Sequence, residues 1–215
     1  MVEPSESFPR QYARTRRFTC GAPRDVRVAD DGSRVLFLRS ASGDDPVNAL
    51  WCFDIETGLE RRVADPEALL VGVDSDGSQQ VVPAAELARR ERVRESGAGI
   101  VAYDALSDLS RVCFVLDGRV YLVELAGSDG SDRVVEVPSS GDAFDPRLSP
   151  DGTEVAYVSG SSLRLTGAGG DRRVIGGTVP TVSWGSADFL AAEEMGRNRG
   201  HWWAPDGRRM LVCRV

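Results

Sequence analysis

Apolar residues along the chain fall into short strand-like runs, and several of these follow the same kind of turn. Asp30-Asp31-Gly32-Ser33-Arg34 leads into Val35-Leu36-Phe37-Leu38. Pro150-Asp151-Gly152-Thr153-Glu154 leads into Val155-Ala156-Tyr157-Val158, and Pro205-Asp206-Gly207-Arg208-Arg209 leads into Met210-Leu211-Val212. The turn chemistry has a mechanism: Asp can accept from its own downstream backbone, Gly accepts positive φ, and Pro presets the entry to the turn. A degenerate copy, Asp108-Leu109-Ser110-Arg111, precedes Val112-Cys113-Phe114-Val115.

Every copy except the last is followed by a second pair of predicted strands around a polar turn. Ala49 to Ile55 turns at Glu56-Thr57-Gly58 into Leu59 to Val63. Arg119 to Leu125 turns at Gly127 to Gly130 into Arg133 to Val137, and Leu163 to Leu165 turns at Gly167 to Gly170 into Arg172 to Ile175. Four short strands recurring at roughly forty to fifty residues are the signature of propeller blades. The sequence therefore predicts an all-β, incomplete β-propeller of three blades plus the start of a fourth. The interval between the first and second copies is too long for one blade, and an insertion fills it. Within that insertion the strong helix formers from Pro83 to Glu95 predict the chain's one helix, stopped by Ser96-Gly97-Ala98-Gly99 and too polar to belong to a core.

Composition adds limits. The sequence is 41% hydrophobic and 27% charged with 23 glycines, which describes a folded chain rich in turns. A formal net charge of -7 argues against a nucleic-acid partner, which would require clustered cationic side chains. The positive charge is nearly all arginine, concentrated in Arg14 to Arg17 and Arg89 to Arg94. No apolar run is long enough to span a membrane and the first six residues do not resemble a signal peptide, so a cytoplasmic location with no membrane partner is expected. Cys20, Cys52, Cys113 and Cys213 are widely spaced, and the last three lie in apolar runs where a thiol acts as a small buried hydrophobe. Asp74-Ser75-Asp76-Gly77 lacks the later ligands of a calcium loop. No metal or other cofactor is expected.

Two segments make the pattern more specific. Ala192-Glu193-Glu194-Met195 runs on to His201-Trp202-Trp203-Ala204-Pro205-Asp206-Gly207, and Arg90-Glu91-Arg92-Val93-Arg94 precedes Gly99-Ile100 and Tyr103-Asp104. The first resembles the double-glutamate segment of the dipeptidyl peptidase IV family of serine peptidases. The second is similar to the arginine helix of that family's cytosolic branch, the dipeptidyl peptidases eight and nine. The resemblance extends from Tyr12 to the end and implies that residues 1–215 are the N-terminal part of such a propeller, with no α/β-hydrolase domain among them. It further implies that Glu193 and Glu194 bind the α-ammonium of a peptide with a free N-terminus, carrying proline or alanine in second place. Arg94 would bond a substrate carbonyl, with Arg92 the alternative. The partner domain implied is the α/β-hydrolase domain that completes such an enzyme.

The residue chemistry agrees with those roles. Two adjacent carboxylates can surround a compact ammonium with charge-assisted bonds, and arginine is a good clamp for a carbonyl. Trp202 and Trp203 read as blade packing. No Gly-x-Ser-x-Gly occurs, and the single histidine, His201, reads as structural, so no catalytic residue is expected among these residues. Two other readings stay open: a stand-alone module capturing peptide N-termini, and a propeller scaffold in which the glutamate pair has no role.

Overall fold

The computed structural model describes residues 7–70, 98–126, 131–177, 179 and 181–215. Three antiparallel four-stranded meanders and one two-stranded start follow one another along the chain. The first comprises β1 (Arg24–Val28), β2 (Arg34–Ser40), β3 (Val47–Asp54) and β4 (Glu60–Ala64). The second comprises β6 (Tyr103–Ala105), β7 (Arg111–Leu116), β8 (Arg119–Glu124) and β9 (Arg133–Val137). The third comprises β10 (Ala143–Leu148), β11 (Glu154–Ser159), β12 (Ser162–Gly167) and β13 (Arg172–Ile175), and β14 (His201–Trp203) with β15 (Met210–Val212) opens the fourth. The predicted incomplete propeller is the fold observed.

The recurrent turn is the same object four times. Asp31, Asp108, Asp151 and Asp206 each accept, through Oδ1, the backbone N–H two residues on, at 2.9 to 3.1 Å. The next residue is left-handed: Gly32 at φ 70, Gly152 at 69, Gly207 at 67, and in the degenerate copy Leu109 at 57. Leu109 carries a conformation that disfavours a Cβ. Its side chain is buried in the core between the first two blades, which offsets that cost.

Blades cohere through the spaces between them. One apolar cluster joins Leu36, Leu38 and Leu50 of the first blade to Tyr103, Val112 and Phe114 of the second. A second joins Cys113 and Val120 to Leu148, Val155 and Tyr157, and a third joins Phe144, Val158 and Leu163 to Trp203, Met210 and Val212. Polar ties reinforce them. The Tyr103 hydroxyl donates to the Asp25 and Leu36 carbonyls, and Arg61 forms a two-point pair with Asp132 at 2.8 and 2.9 Å.

The predicted helix at 83–95, and Arg94 and Arg92 within it, lie outside the described residues. Of its proposed stop, Ser96 and Gly97 also lie outside the described residues, while Ala98 and Gly99 form β5 (Ala98–Gly99), which pairs in parallel with β3. Gly99 has φ 71, and a Cβ there would stand 2.6 Å from the Asn48 carbonyl oxygen, so the pairing requires glycine. The expectation of a single helix needs correction, because α1 (Phe8–Arg14), α2 (Pro66–Leu70) and α3 (Phe189–Met195) are helical. All three are too short to show a hydrophobic period: α3 carries a side-chain cap from Asp188 and α2 a bond from the Glu67 N–H to Asp65, whereas α1 has no side-chain cap and no buried residue. No described helix is long and apolar enough to cross a membrane. The cysteine expectation also needs one correction: Cys52 and Cys113 are buried, but Cys213 follows the last residue of β15 and is only half-buried.

Candidate functional site

Helix α3 presents the glutamate pair. Asp188, in extended conformation, accepts the Ala191 N–H at 3.1 Å through Oδ1, and Gly196 ends the helix at φ 62. The Arg197 N–H returns to the Ala191 carbonyl at 2.9 Å. Both ends of this short helix are thus fixed by local bonds that satisfy otherwise orphaned backbone groups. Ala192 faces inward and is buried, whereas Glu193 and Glu194 are exposed. Neither carboxylate forms a hydrogen bond or ion pair among the described residues. They are available to a ligand.

Beyond α3 the chain enters β14. Its pairing with β15 sets His201 opposite Val212, Trp202 opposite Leu211 and Trp203 opposite Met210. Strand alternation sends the two tryptophans to opposite faces. Trp203 packs against the third apolar cluster, and its indole N–H donates to the Arg147 carbonyl at 3.2 Å. Trp202 lines a pocket of about 390 Å³ beside α3, with Ala191, Gly196, Asn198 and Arg199. Packing is therefore the role of Trp203, while Trp202 forms part of the site.

His201 is fully buried; its Nδ1 lies 2.9 Å from the Gly185 carbonyl and 3.8 Å from Asp145 Oδ2. The carbonyl bond makes Nδ1 the protonated nitrogen of the neutral ring. Burial pulls its pKa below the ordinary histidine value, against the opposing influence of Asp145. Its Nε2 is buried without a hydrogen-bond partner among the described residues.

The first strands of the blades bring together charges that sequence reasoning missed. Asp104 on β6 pairs with Arg27 on β1 at 3.0 Å and accepts the Leu148 N–H of β10 at 3.0 Å, so one carboxylate ties three blades. Asp145 pairs with Arg147 on β10. Both β1 and β10 carry an irregular register at their Asp-x-Arg segment, where Asp25 has φ 49 and Asp145 φ 50. The available signal was the recurrence of Asp25-Val26-Arg27 and Asp145-Pro146-Arg147 at one offset before an Asp-Gly turn. Arg199, just ahead of β14, donates from Nε to the His201 carbonyl at 2.7 Å and lies over the Trp202 ring, 5.7 Å from its centroid. Burial, and next the like charge of Arg147, draw its pKa below the usual arginine value.

This arrangement, a capped acidic helix leading into a Trp-Trp strand on a propeller blade, lies within a recognised unit. Residues 101–215, just over half of the chain, match the family described as the dipeptidyl peptidase IV (DPP IV) N-terminal region. The chain belongs to this family. Among solved structures, Porphyromonas gingivalis dipeptidyl peptidase 4 is similar in fold, with a TM-score of 0.54 and 16% identity over 99% of this chain. A chain from a structural study of two prolyl endopeptidases is similar with a TM-score of 0.53 and 15% identity over 96%. The present chain spans 28% of the length of each. At these identities the likeness is one of fold, and it agrees with the blade-like sheets of this DPP IV N-terminal region.

Proposed function

We propose that this DPP IV N-terminal region anchors the free amino end of a peptide on Glu193 and Glu194. It would do so as the propeller portion of a serine dipeptidyl peptidase that releases dipeptides with proline or alanine in second place. One observation carries this reading: α3 holds two adjacent carboxylates exposed and uncommitted, while Asp104, Asp145 and Asp188 are all engaged in bonds that hold the fold. Two carboxylates leave a net negative charge that an α-ammonium, with its three donors, can satisfy. A site of this kind measures from the chain terminus and selects exopeptidase substrates.

The bond-breaking chemistry belongs to an α/β-hydrolase domain, since the 215 residues contain neither a Gly-x-Ser-x-Gly elbow nor a second histidine. Arg94, as the clamp for a substrate carbonyl, and membership of the cytosolic branch rest on the resemblance of Arg90 to Arg94 and of the Glu194 to Trp202 interval.

Calorimetric titration with Ala-Pro-Ala tests the anchor directly. The free-amine peptide should bind, its N-acetylated form should bind at least about tenfold more weakly, and the double variant Glu193→Gln/Glu194→Gln should lose that discrimination. Equal affinity of wild type for the free and acetylated peptides would sink the proposal.

A further inference from the structure

The charges gathered at the first strands of the blades leave one guanidinium over. Arg27, Arg147 and Arg199 share a half-buried region with two carboxylates, and each carboxylate already has its own guanidinium: Asp104 pairs with Arg27 and accepts the Leu148 N–H, and Asp145 pairs with Arg147 through Oδ1, its Oδ2 being buried without a hydrogen-bond partner among the described residues. His201, buried and neutral, adds no charge to the count. Arg199 spends only Nε, on the His201 carbonyl, and its two terminal nitrogens have no hydrogen-bond partner among the described residues. Burying a cation without a counter-charge is costly, so a site so arranged favours an incoming anion.

Shape supports the charge count. Arg199 lines the pocket beside α3 together with Arg197, Trp202 and Asp188. Asp188, the one carboxylate on that wall, caps α3. Arg197 contributes a second guanidinium whose only hydrogen bond among the described residues is to the Met195 sulfur, at 3.0 Å. Asn198 also lines the pocket, with its Oδ1 buried and without a hydrogen-bond donor among the described residues. The pocket thus offers two cations and an indole face. It is large enough for a few residues of peptide and lies beside the helix that carries Glu193 and Glu194.

We propose that this pocket is a carboxylate site, in which Arg199, assisted by Arg197, takes a carboxylate of a short peptide against the Trp202 face. The carboxylate is either the peptide's own C-terminus or an acidic side chain near its N-terminus. Recognition is then two-ended, ammonium on α3 and carboxylate on Arg199, which narrows the ligands to short or acidic peptides. That the ligand is a peptide rests on the reading of Glu193 and Glu194; the unpaired cation does not.

Binding of four free-amine tripeptides to the 215-residue chain decides the matter: Ala-Pro-Ala as free acid and as amide, and the amides of Ala-Glu-Ala and Ala-Gln-Ala. In at least one pair the carboxylate-bearing member should bind about tenfold more tightly than its neutral counterpart, and which pair does so identifies the source of the carboxylate. Arg199→Gln should collapse that ratio toward one, and Arg199→Lys should retain part of it, with circular dichroism verifying that both variants fold. Equal affinity within both pairs, a ratio that survives Arg199→Gln, or failure of every carboxylate-bearing peptide to bind each overturns the proposal. If Glu193→Gln/Glu194→Gln leaves all four affinities unchanged while the ratio still depends on Arg199, the amino-end anchor fails and the carboxylate site stands.

Discussion

His201 is the sequence's single histidine, so its titration can be followed without interference from another. Burial holds its pKa below the ordinary value, which means that near neutrality the unfolded chain takes up a proton more readily than the folded one. Its contribution to stability is complete above the unfolded pKa of about 6.5 and falls as pH drops through that value toward the folded pKa. Urea unfolding should accordingly show a lower midpoint at about pH 5.5 than at about pH 7.5, and His201→Gln should flatten the difference. A midpoint in wild type that does not move between those conditions would contradict the neutral buried state. Leu109 shows the complementary case, in which packing keeps a side chain at a backbone angle its relatives fill with glycine.

At the level of elements, the site depends on how the chain passes from α3 into β14. Gly200 is the narrow point: a Cβ there would lie 2.3 Å from backbone atoms of Ser186 and 2.5 Å from the Gly185 carbonyl oxygen. Backbone cannot yield as a flexible side chain can. Gly200→Ala should therefore push β14 away from residues 185–186, break the His201 bond to Gly185 and shift Arg199, lowering stability by about 1–3 kcal/mol. Denaturant unfolding reads the stability, and Trp fluorescence reads the displacement of Trp202. Gly169→Ala is the comparison, because neither glycine is left-handed but at Gly169 no atom lies within 4 Å of the added methyl. If the two variants lose the same stability, the close approach at Gly200 carries no weight. Much at this scale was legible in sequence, since the Asp-Gly turns and the strands after them stand where the turn chemistry puts them. The helical state of Glu193 and Glu194 was not, because a seven-residue helix shows no usable period and depends on Asp188 and Gly196 for its ends.

Across the whole molecule, stability is shared between neighbouring blades, since each apolar cluster is built from two of them. The thiols report this arrangement. Cys52 lies in the first inter-blade cluster and Cys113 in the second, and burial pushes both thiols above the ordinary range, while Cys20 and Cys213 are part-exposed. Labelling of the native chain by a thiol reagent should proceed in two classes, with Cys20 and Cys213 fast and Cys52 and Cys113 reacting only on unfolding. Mass spectrometry of partially labelled protein separates them. Early modification of Cys113 would show that the second and third blades do not pack as described.

Turn chemistry and strand patterning are local, and from them alone the sequence determined that this chain is a succession of propeller blades. Its Glu-Glu and Trp-Trp residues likewise marked the region that belongs to the DPP IV N-terminal family. Tertiary structure decided what no local pattern contains. Arg27, Asp104, Asp145, Arg147 and Arg199 meet because the first strands of successive blades are brought side by side. One pair across blades, Asp104 with Arg27, and one within β10, Asp145 with Arg147, then consume two carboxylates and leave Arg199 without one. Charge balance is a property of residues distant in sequence, and only the fold reveals which cation is left over.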